Sequence, residues 1–294
     1  MARKALRRLL ALGLLSGLSA TALSVHAASP VWAVRGAHNT VYLAGSVHML
    51  PVNDATLPAA FDRAYADSAR LVMELDLGKL DSLEAMAWMM DHSALPPGST
   101  LRSVLGQQRY EHLSAAAASL GLSMTAFDAQ APWVVGIEIT EFAYTHEGFD
   151  PEQGVEEQLV RRAQADGKPT AGLETLPEQL SGLIALSRED QVRMLDDTVD
   201  ELKDLKSETR EVTEAWRHGD AAHLATLLAT EYNSMPSLYK PLVTERNQRW
   251  LPQVEQMLKS NDNALVVVGA LHLVGPGGLL ELLRSKGYRI TQLD

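Results

Sequence analysis

The sequence predicts an α/β fold with a large helical portion, and three observations carry this prediction. Short apolar runs typical of buried strands recur along the 294 residues, with stretches of helical spacing between them. Two of these runs end in the same pattern, Gly-x-x-His followed by an apolar residue and a turn that contains proline, at Gly45 to His48 and at Gly269 to His272. From about Arg188 to Thr230, the chain is rich in charge and helical in pattern.

The N-terminus has the features of a secretory signal peptide. Four basic residues precede an apolar stretch from Leu9 to Leu23, and small residues end at Ala27. We therefore predict a cleaved signal over 1–27, a single domain over 28–294, and a periplasmic or secreted location. An uncleaved N-terminal anchor is the alternative. No later segment is apolar for long enough to span a bilayer.

Composition excludes several classes of function. The chain has no cysteine, so disulfides, a thiol nucleophile and a cysteine-based metal site are impossible. The net charge is −11, and removal of the four basic residues in the predicted signal makes it more negative. Because an acidic surface repels phosphates, nucleic acid is not expected as a partner.

The first half of the chain predicts a hairpin, a helix and a second core strand before a long helical region. The elements are strands at 30–35 and 40–44, a helix at 57–68, a strand at 71–76, helices from about 82 to 120 with a break at 96–98, a helix from 132 to about 144, and a helix ending near 166. Met86, Met89 and Met90 are expected to line the core or a groove. Glu74 interrupts the apolar strand at 71–76, where a carboxylate is costly unless it is paired or bound to a metal.

The second half predicts two further strands that deliver polar residues at their ends. The elements are a short strand at 169–173, helices from about 188 to 230 and from 242 to 259, a strand at 264–268, a helix at 277–286 and a last strand at 289–290. Glu174 directly follows the first of these strands. It is interpreted either as a site residue or as a carboxylate that the N-terminus of the next helix favours. His272 follows the second, uninterrupted apolar strand, where open α/β sheets place their ligands.

Two histidines and one or two carboxylates at strand ends are suited to hold one divalent metal ion. Neutral imidazole and carboxylate together supply nitrogen and oxygen donors, and a bound metal lowers the pKa of water and polarises a carbonyl. The glycine before each histidine permits a sharp turn and a close approach of a ligand. No His-Glu-x-x-His helix, phosphate-binding loop or Gly-x-Ser-x-Gly elbow is present. Ser46 beside His48 leaves a serine hydrolase open, without a specified acid partner.

In these residues the sequence resembles the TraB/PrgY/GumN family, most closely its secreted GumN-like bacterial members. The resemblance covers essentially the whole mature chain, in the family's order. The matching pieces are 43–48, the strand ending at Glu74, 172–179, Arg246-Asn247 with Trp250, and 268–273.

The resemblance implies both an architecture and a set of roles. It implies a central mixed sheet with two paired halves, surrounding helices and a large helical insert, similar to erythromycin-esterase and ChaN-like proteins. The related Tiki proteins are metal-dependent proteases, which implies His48 and His272 as metal ligands and Glu74 as a ligand or general base. Arg246 is implied to stabilise an oxyanion or to position a carboxylate. Where the family usually has Gly-hydrophobic-Asp, this chain has Glu156, to which no ligand role is assigned.

The expected function is that of an exported metal-dependent hydrolase, a peptidase acting on peptides or proteins with Mn²⁺, Co²⁺ or Zn²⁺. His48 and His272 would hold the metal with Glu74, which would also activate water. Glu174 would orient or complete the shell. Two alternatives remain open: a non-catalytic periplasmic binding protein for a peptide, a haem-like ligand or a metal, and a non-metal esterase that uses one of the histidines as its base.

Overall fold

A computed structural model describes residues 28–234 and 236–294, apart from the side chains of 230–234. The predicted signal peptide over 1–27 lies outside the described residues. No helix in the part that the structure describes is long and apolar enough to cross a membrane.

The core is a six-stranded mixed sheet, which confirms the predicted α/β fold. The strands are β1 (Val31–Arg35), β2 (Thr40–Ser46), β3 (Leu50–Pro51), β4 (Arg70–Met73), β5 (Phe149–Asp150), β6 (Thr170–Gly172), β7 (Ala264–Gly269) and β8 (Arg289–Gln292). The sheet order is β6-β4-β7-β2-β1-β8, and β3 pairs separately with β5. Strands β6, β4, β7 and β2 are mutually parallel, whereas β1 runs antiparallel to both β2 and β8. The chain thus places four parallel strand ends along one edge.

Helices connect these strands and form most of the middle of the chain. They are α1 (Ala59–Asp67), α2 (Ser82–Ser93), α3 (Leu101–Leu105), α4 (Gln107–Ser119), α5 (Pro132–His146), α6 (Val155–Asp166), α7 (Leu176–Ile184), α8 (Arg188–Glu201), α9 (Leu205–Arg217), α10 (Ala221–Ser234), α11 (Pro236–Tyr239), α12 (Glu245–Leu258), α13 (Ala270–Leu273) and α14 (Leu279–Ser285). Short 3-10 turns lie at Met124–Ala126 and Pro151–Gln153, and a π-helical turn at Lys240–Thr244 precedes α12.

The apolar residues form two clusters. One surrounds the sheet, where Val266, Val267 and Val268 of β7 are completely buried, as expected for a strand covered on both faces. The other lies among α3, α4, α5 and α8, with Trp133 and Leu195 at its centre. These four helices, with α2 packed against them through Met89, form the helical insert. The insert therefore has its own core, separate from that of the sheet.

Two local predictions differ from the structure. The strand predicted over 71–76 ends at Met73, where regular pairing with β6 stops and the N–H of Leu173 is shared between the carbonyls of Met73 and Glu74. In α2, Met86 and Met90 are exposed instead of lining a core or groove, because α2 packs through the opposite side, which includes Ala85 and Trp88.

Candidate active site

The four parallel strands deliver the predicted site residues to one place. His48 lies two residues beyond β2, Glu74 directly after β4, Glu174 two residues beyond β6, and His272 in the short helix α13 that follows β7. Because the carboxyl ends of parallel strands share one edge of a sheet, residues from distant parts of the sequence meet there. The structure brings all four together, and Arg246 of α12 joins them.

An opening over Gly269 forms the centre of this cluster. A Cβ atom at Gly269 would lie 3.4 Å from Oε1 of Glu74, 3.6 Å from Cδ2 of His272 and 3.9 Å from Nε2 of His48. The backbone φ of Gly269 is −47°, which any residue adopts, and an added Cβ would make ordinary van der Waals contacts, so an alanine fits here but would occupy the space that the three side chains face. The N–H of Gly269 also donates to Oε1 of Glu74 at 2.7 Å. Three predicted ligands thus face one small space.

The other glycine of the pair has a packing role. A Cβ atom at Gly45 would lie 3.1 Å from both Cα and Cβ of Ala270, closer than side chains normally approach. Gly45 therefore lets the end of β2 lie directly against the start of α13. The carbonyl of Gly45 accepts a hydrogen bond from the buried indole of Trp216 at 2.6 Å.

Arg246 is buried, and each of its five N–H groups has an acceptor. Its Nε donates to Oε1 of Glu174 at 2.9 Å, and its Nη2 donates to carboxylate oxygens of both Glu74 and Glu174. Its Nη1 donates to the carbonyl of Leu242 at 3.1 Å and lies 3.0 Å from Nε2 of His272. Of the two roles expected for Arg246, this saturation supports positioning carboxylates over stabilising an oxyanion.

The hydrogen bonds around His272 define its tautomer. The amide of Asn247 donates to the carbonyls of His272 and Gly277, so its Oδ1 is an acceptor for the Nδ1–H of His272 at 2.8 Å. Nε2 then carries a lone pair that faces Arg246. Burial lowers the pKa of His272 to about 4, assisted by the positive charge of Arg246 and opposed by Glu74. His272 is therefore a neutral imidazole at physiological pH.

The two carboxylates differ in their ionisation. Burial alone would raise the pKa of Glu74, but the charge of His272, which is protonated at the low pH where Glu74 titrates, the charges of Arg246 and His48, and the N–H of Gly269 together lower it to about 2. Burial raises the pKa of Glu174 above its usual value, although hydrogen bonds from Arg246 oppose the rise. Glu74 is thus ionised throughout the physiological range, which suits a ligand better than a proton acceptor.

Glu156, to which the sequence analysis assigned no ligand role, also lies at the candidate site. Its buried carboxylate lies 3.0 Å from Nδ1 of His48 and accepts a hydrogen bond from the hydroxyl of Ser46. The sequence feature that could have identified Glu156 is its position in a Gly-hydrophobic-acid sequence at the start of a helix. A Cβ atom at Gly154 would lie 2.2 Å from the carbonyl oxygen of His48, so this glycine brings α6 against the His48 loop.

The Glu156 carboxylate orients His48 and alters its titration. Its negative charge raises the pKa of His48 against the effect of desolvation, and solvent screens part of this rise because 70% of the His48 side chain is exposed. The charge of His48 and the hydrogen bonds from His48 and Ser46 lower the pKa of Glu156, although burial favours the opposite shift. Because the Ser46 hydroxyl donates to Glu156, the geometry does not support a Ser46–His48 catalytic pair.

The donors around the opening are of the types that bind a divalent metal ion. Each imidazole has its Nδ1 held by a second residue, Glu156 or Asn247, an arrangement typical of metal-ligating histidines. Within the described residues, however, no group of three or more His, Asp or Glu side chains is already spaced to enclose an ion. Arg246 contacts Nε2 of His272, so an ion on that nitrogen would have to replace this contact.

Fold and site together define the class: an α/β protein with a polar cluster at the ends of four parallel strands. A sequence model of the TraB/PrgY/gumN family matches residues 30–292, and the chain belongs to this family. It is 25% identical over 243 residues to a protein of Escherichia coli (strain K12) that bears the name "Uncharacterized protein YbaP". The match covers 83% of this chain and 87% of that protein, and the protein of the same name from Shigella flexneri matches equally. No solved structure matches the chain.

Proposed function

We propose that this protein is an exported, metal-dependent hydrolase that cleaves peptides or proteins. The observation that supports the proposal most is that His48, Glu74 and His272 face one opening over Gly269. Membership of the TraB/PrgY/gumN family agrees with it, although the family alone defines no reaction.

In this proposal, Nε2 of each histidine and Oε1 of Glu74 hold a Mn²⁺, Co²⁺ or Zn²⁺ ion. When bound, the ion lowers the pKa of a water molecule and polarises the scissile carbonyl. Glu156 and Asn247 keep the Nδ1 atoms of His48 and His272 engaged, which leaves the Nε2 atoms to bind the ion; Nε2 of His272 would exchange its contact with Arg246 for the ion.

The remaining residues of the cluster act on Glu74. Its Oε1 is held by the N–H of Gly269 and its Oε2 by Gln179 and Arg246, so the ionised carboxylate has a fixed direction from which to orient a water molecule. Glu174 keeps Arg246 in place from the far side and does not itself face the opening in this arrangement.

The second candidate is a non-catalytic binding protein for a peptide, a haem-like ligand or a metal. The engagement of Arg246 favours it, because a guanidinium that pairs with both Glu74 and Glu174 lowers the basicity of Glu74. Under this hypothesis the protein binds its ligand in the same cleft and turns over no peptide.

Metal content distinguishes these candidates. The mature protein, purified without chelator, is measured beside the His48→Ala/His272→Ala double variant and a His38→Ala/His112→Ala control, whose exposed histidines lie elsewhere. We expect about one ion per chain in wild type and control, and none in the folded double variant, because two of three ligands are lost. Full occupancy in the double variant would contradict the site. Metal without turnover of a peptide library would favour the binding protein.

We also propose that the protein is exported and that its partners are peptides or proteins, not nucleic acid. This rests on the N-terminal sequence and on the net charge of −11. N-terminal sequencing of the protein recovered outside the cytoplasm is expected to begin at Ala28. A chain that retains Met1 would support the uncleaved anchor.

A further inference from the structure

A groove leads away from the candidate active site between α2 and the start of α7. It encloses about 320 Å³, near the lower end of the range of small-ligand pockets, and it reaches the site at Glu174. Its apolar lining consists of Leu75, Leu80, Ala85, Trp88, Leu176 and Pro177. The groove is therefore large enough for a bulky apolar side chain, and it meets the cluster of site residues at Glu174.

The rim of this groove is acidic. Asp76 forms an ion pair with Lys79 at 2.8 Å, which neutralises one carboxylate. Asp81 and Glu84 also line the groove, and neither forms an ion pair among the described residues, although the Asp81 carboxylate caps α2 by accepting the N–H groups of Leu83 and Glu84. A basic residue beside the groove would be attracted to this rim, and an acidic residue would be repelled.

The start of α7 offers no compensating site for an acidic ligand. The Glu178 carboxylate accepts hydrogen bonds from both the N–H and the hydroxyl of Thr175, at 2.7 and 2.9 Å. These donors are therefore engaged, and the Glu178 carboxylate adds negative charge. The chemistry of the groove favours an apolar or basic occupant over an acidic one.

We propose that this groove receives a large apolar side chain of a polypeptide substrate, and that its rim selects a lysine or arginine next to that side chain. That this polypeptide is a substrate rests on the proposed function, whereas its binding to the groove does not require turnover. The spacing of Glu84, Ala85 and Trp88 places them on one face of α2, after the N-cap residue Asp81, while Ala87 lies exposed on another face.

The experiment uses two matched variants of the mature protein, Ala85→Phe and Ala87→Phe. Fluorescence polarisation measures binding of three fluorescein-labelled Gly/Ser decapeptides that carry Leu-Lys, Ser-Lys or Leu-Glu at their centre. We expect wild type to bind the Leu-Lys peptide about tenfold more tightly than either other peptide, since apolar pockets discriminate by this order. Ala85→Phe fills the groove and removes this preference, whereas Ala87→Phe changes the dissociation constant by less than about twofold.

A third variant, Glu84→Lys, tests the rim without filling the groove, and is expected to shift the preference toward Leu-Glu. Equal binding of all three peptides by wild type, or the same effect of Ala85→Phe and Ala87→Phe, would overturn the proposal. Turnover of the peptides by the Mn²⁺-loaded protein is measured separately. If peptide binding depends on the groove but no peptide is turned over, the proposed hydrolase function is refuted and the groove proposal stands. If peptides are turned over and Ala85→Phe leaves the turnover unchanged, the groove proposal is refuted and the hydrolase function stands.

Discussion

Arg246 lies between two carboxylates that come from different strands, and its neighbour Arg249 provides a natural comparison. Arg246 is buried with Glu74 and Glu174, while the side chain of Arg249 is 43% exposed and lies 3.7 Å from Glu174. A buried charge that loses its partner is far more costly than an exposed one. The two arginines thus differ in what they contribute to stability.

Replacement of Arg246 by Met is expected to lower the free energy of unfolding by about 3–5 kcal/mol, because two buried carboxylates lose their shared cation. Arg249→Met is the control, with an expected loss of at most about 1 kcal/mol. Urea unfolding followed by circular dichroism measures both. Equal losses would contradict the assignment of Arg246 as the central cation.

Gly269→Ala tests the opening itself. Its Cβ would occupy the space that His48, Glu74 and His272 face, so we expect affinity for Mn²⁺ to fall by about tenfold or more, as when ligands are displaced. Gly136→Ala in α5 is the control, because the closest contact of its Cβ would be the flexible end of Met194 at 3.2 Å, far from the site residues. Titration calorimetry measures the affinity. An unchanged value in a folded Gly269→Ala protein would argue against the opening as the metal position.

His272 gives a pH dependence whose sign is fixed by its burial. Its pKa in the folded chain is about 4, below the ordinary 6.5, so the unfolded chain binds more protons between these values. Stability contributed by neutral His272 is therefore present above pH 6.5 and is lost as the pH falls toward 4. Urea midpoints measured across this range with chelator present should fall less steeply in His272→Asn than in wild type. Parallel curves would contradict this.

At the scale of elements, α13 shows how a very short helix is stabilised. Four residues are too few for a helix to persist by itself, so its position depends on tertiary contacts. Asn247 of α12 supplies them by bonding the carbonyls of His272 and Gly277 and the Nδ1 of His272. The placement of the second histidine thus depends on one fully buried amide.

Asn247→Ala is expected to lower the free energy of unfolding by about 2–4 kcal/mol, since it leaves buried polar groups without partners. Gln253→Ala on the same helix is the comparison, because exposed Gln253 makes a single bond, to the carbonyl of Leu173, worth about 1 kcal/mol. Chemical denaturation gives both values. A smaller loss for Asn247→Ala than for Gln253→Ala would refute the dependence of α13 on Asn247.

The sequence predicted the elements whose signal is local. The hairpin, the buried run of β7 and the proline that starts α5 at Pro132 were all predicted, because apolar runs and proline act on the backbone nearby. The contact of Glu156 with His48 and the full hydrogen bonding of Arg246 were not predicted, because both depend on partners that are far away in sequence. Whether the gathered residues bind metal or act on a substrate stays a prediction.

At the scale of the molecule, the separate cores of the sheet and the helical insert predict uneven protection from hydrogen exchange. Strand β7 is hydrogen-bonded to β2 on one side and to β4 on the other within a buried sheet, whereas most residues of α2 are exposed. The amides of α2 should therefore exchange orders of magnitude faster than those of β7. Exchange followed by mass spectrometry measures this difference. Equal protection of α2 and β7 would show that the insert and the sheet open together.

The position of β7 between β2 and β4 also has a consequence for how the chain matures. Strands β2 and β4 are synthesised early, whereas β7, which pairs with both of them, comes near the end of the sequence. Each of the two strands therefore has an unpaired edge until β7 has been synthesised. Non-local pairing of this kind is slow to form and leaves the growing chain open to aggregation. An N-terminal fragment that stops before β7 would therefore need a chaperone and would carry only half of the histidine pair.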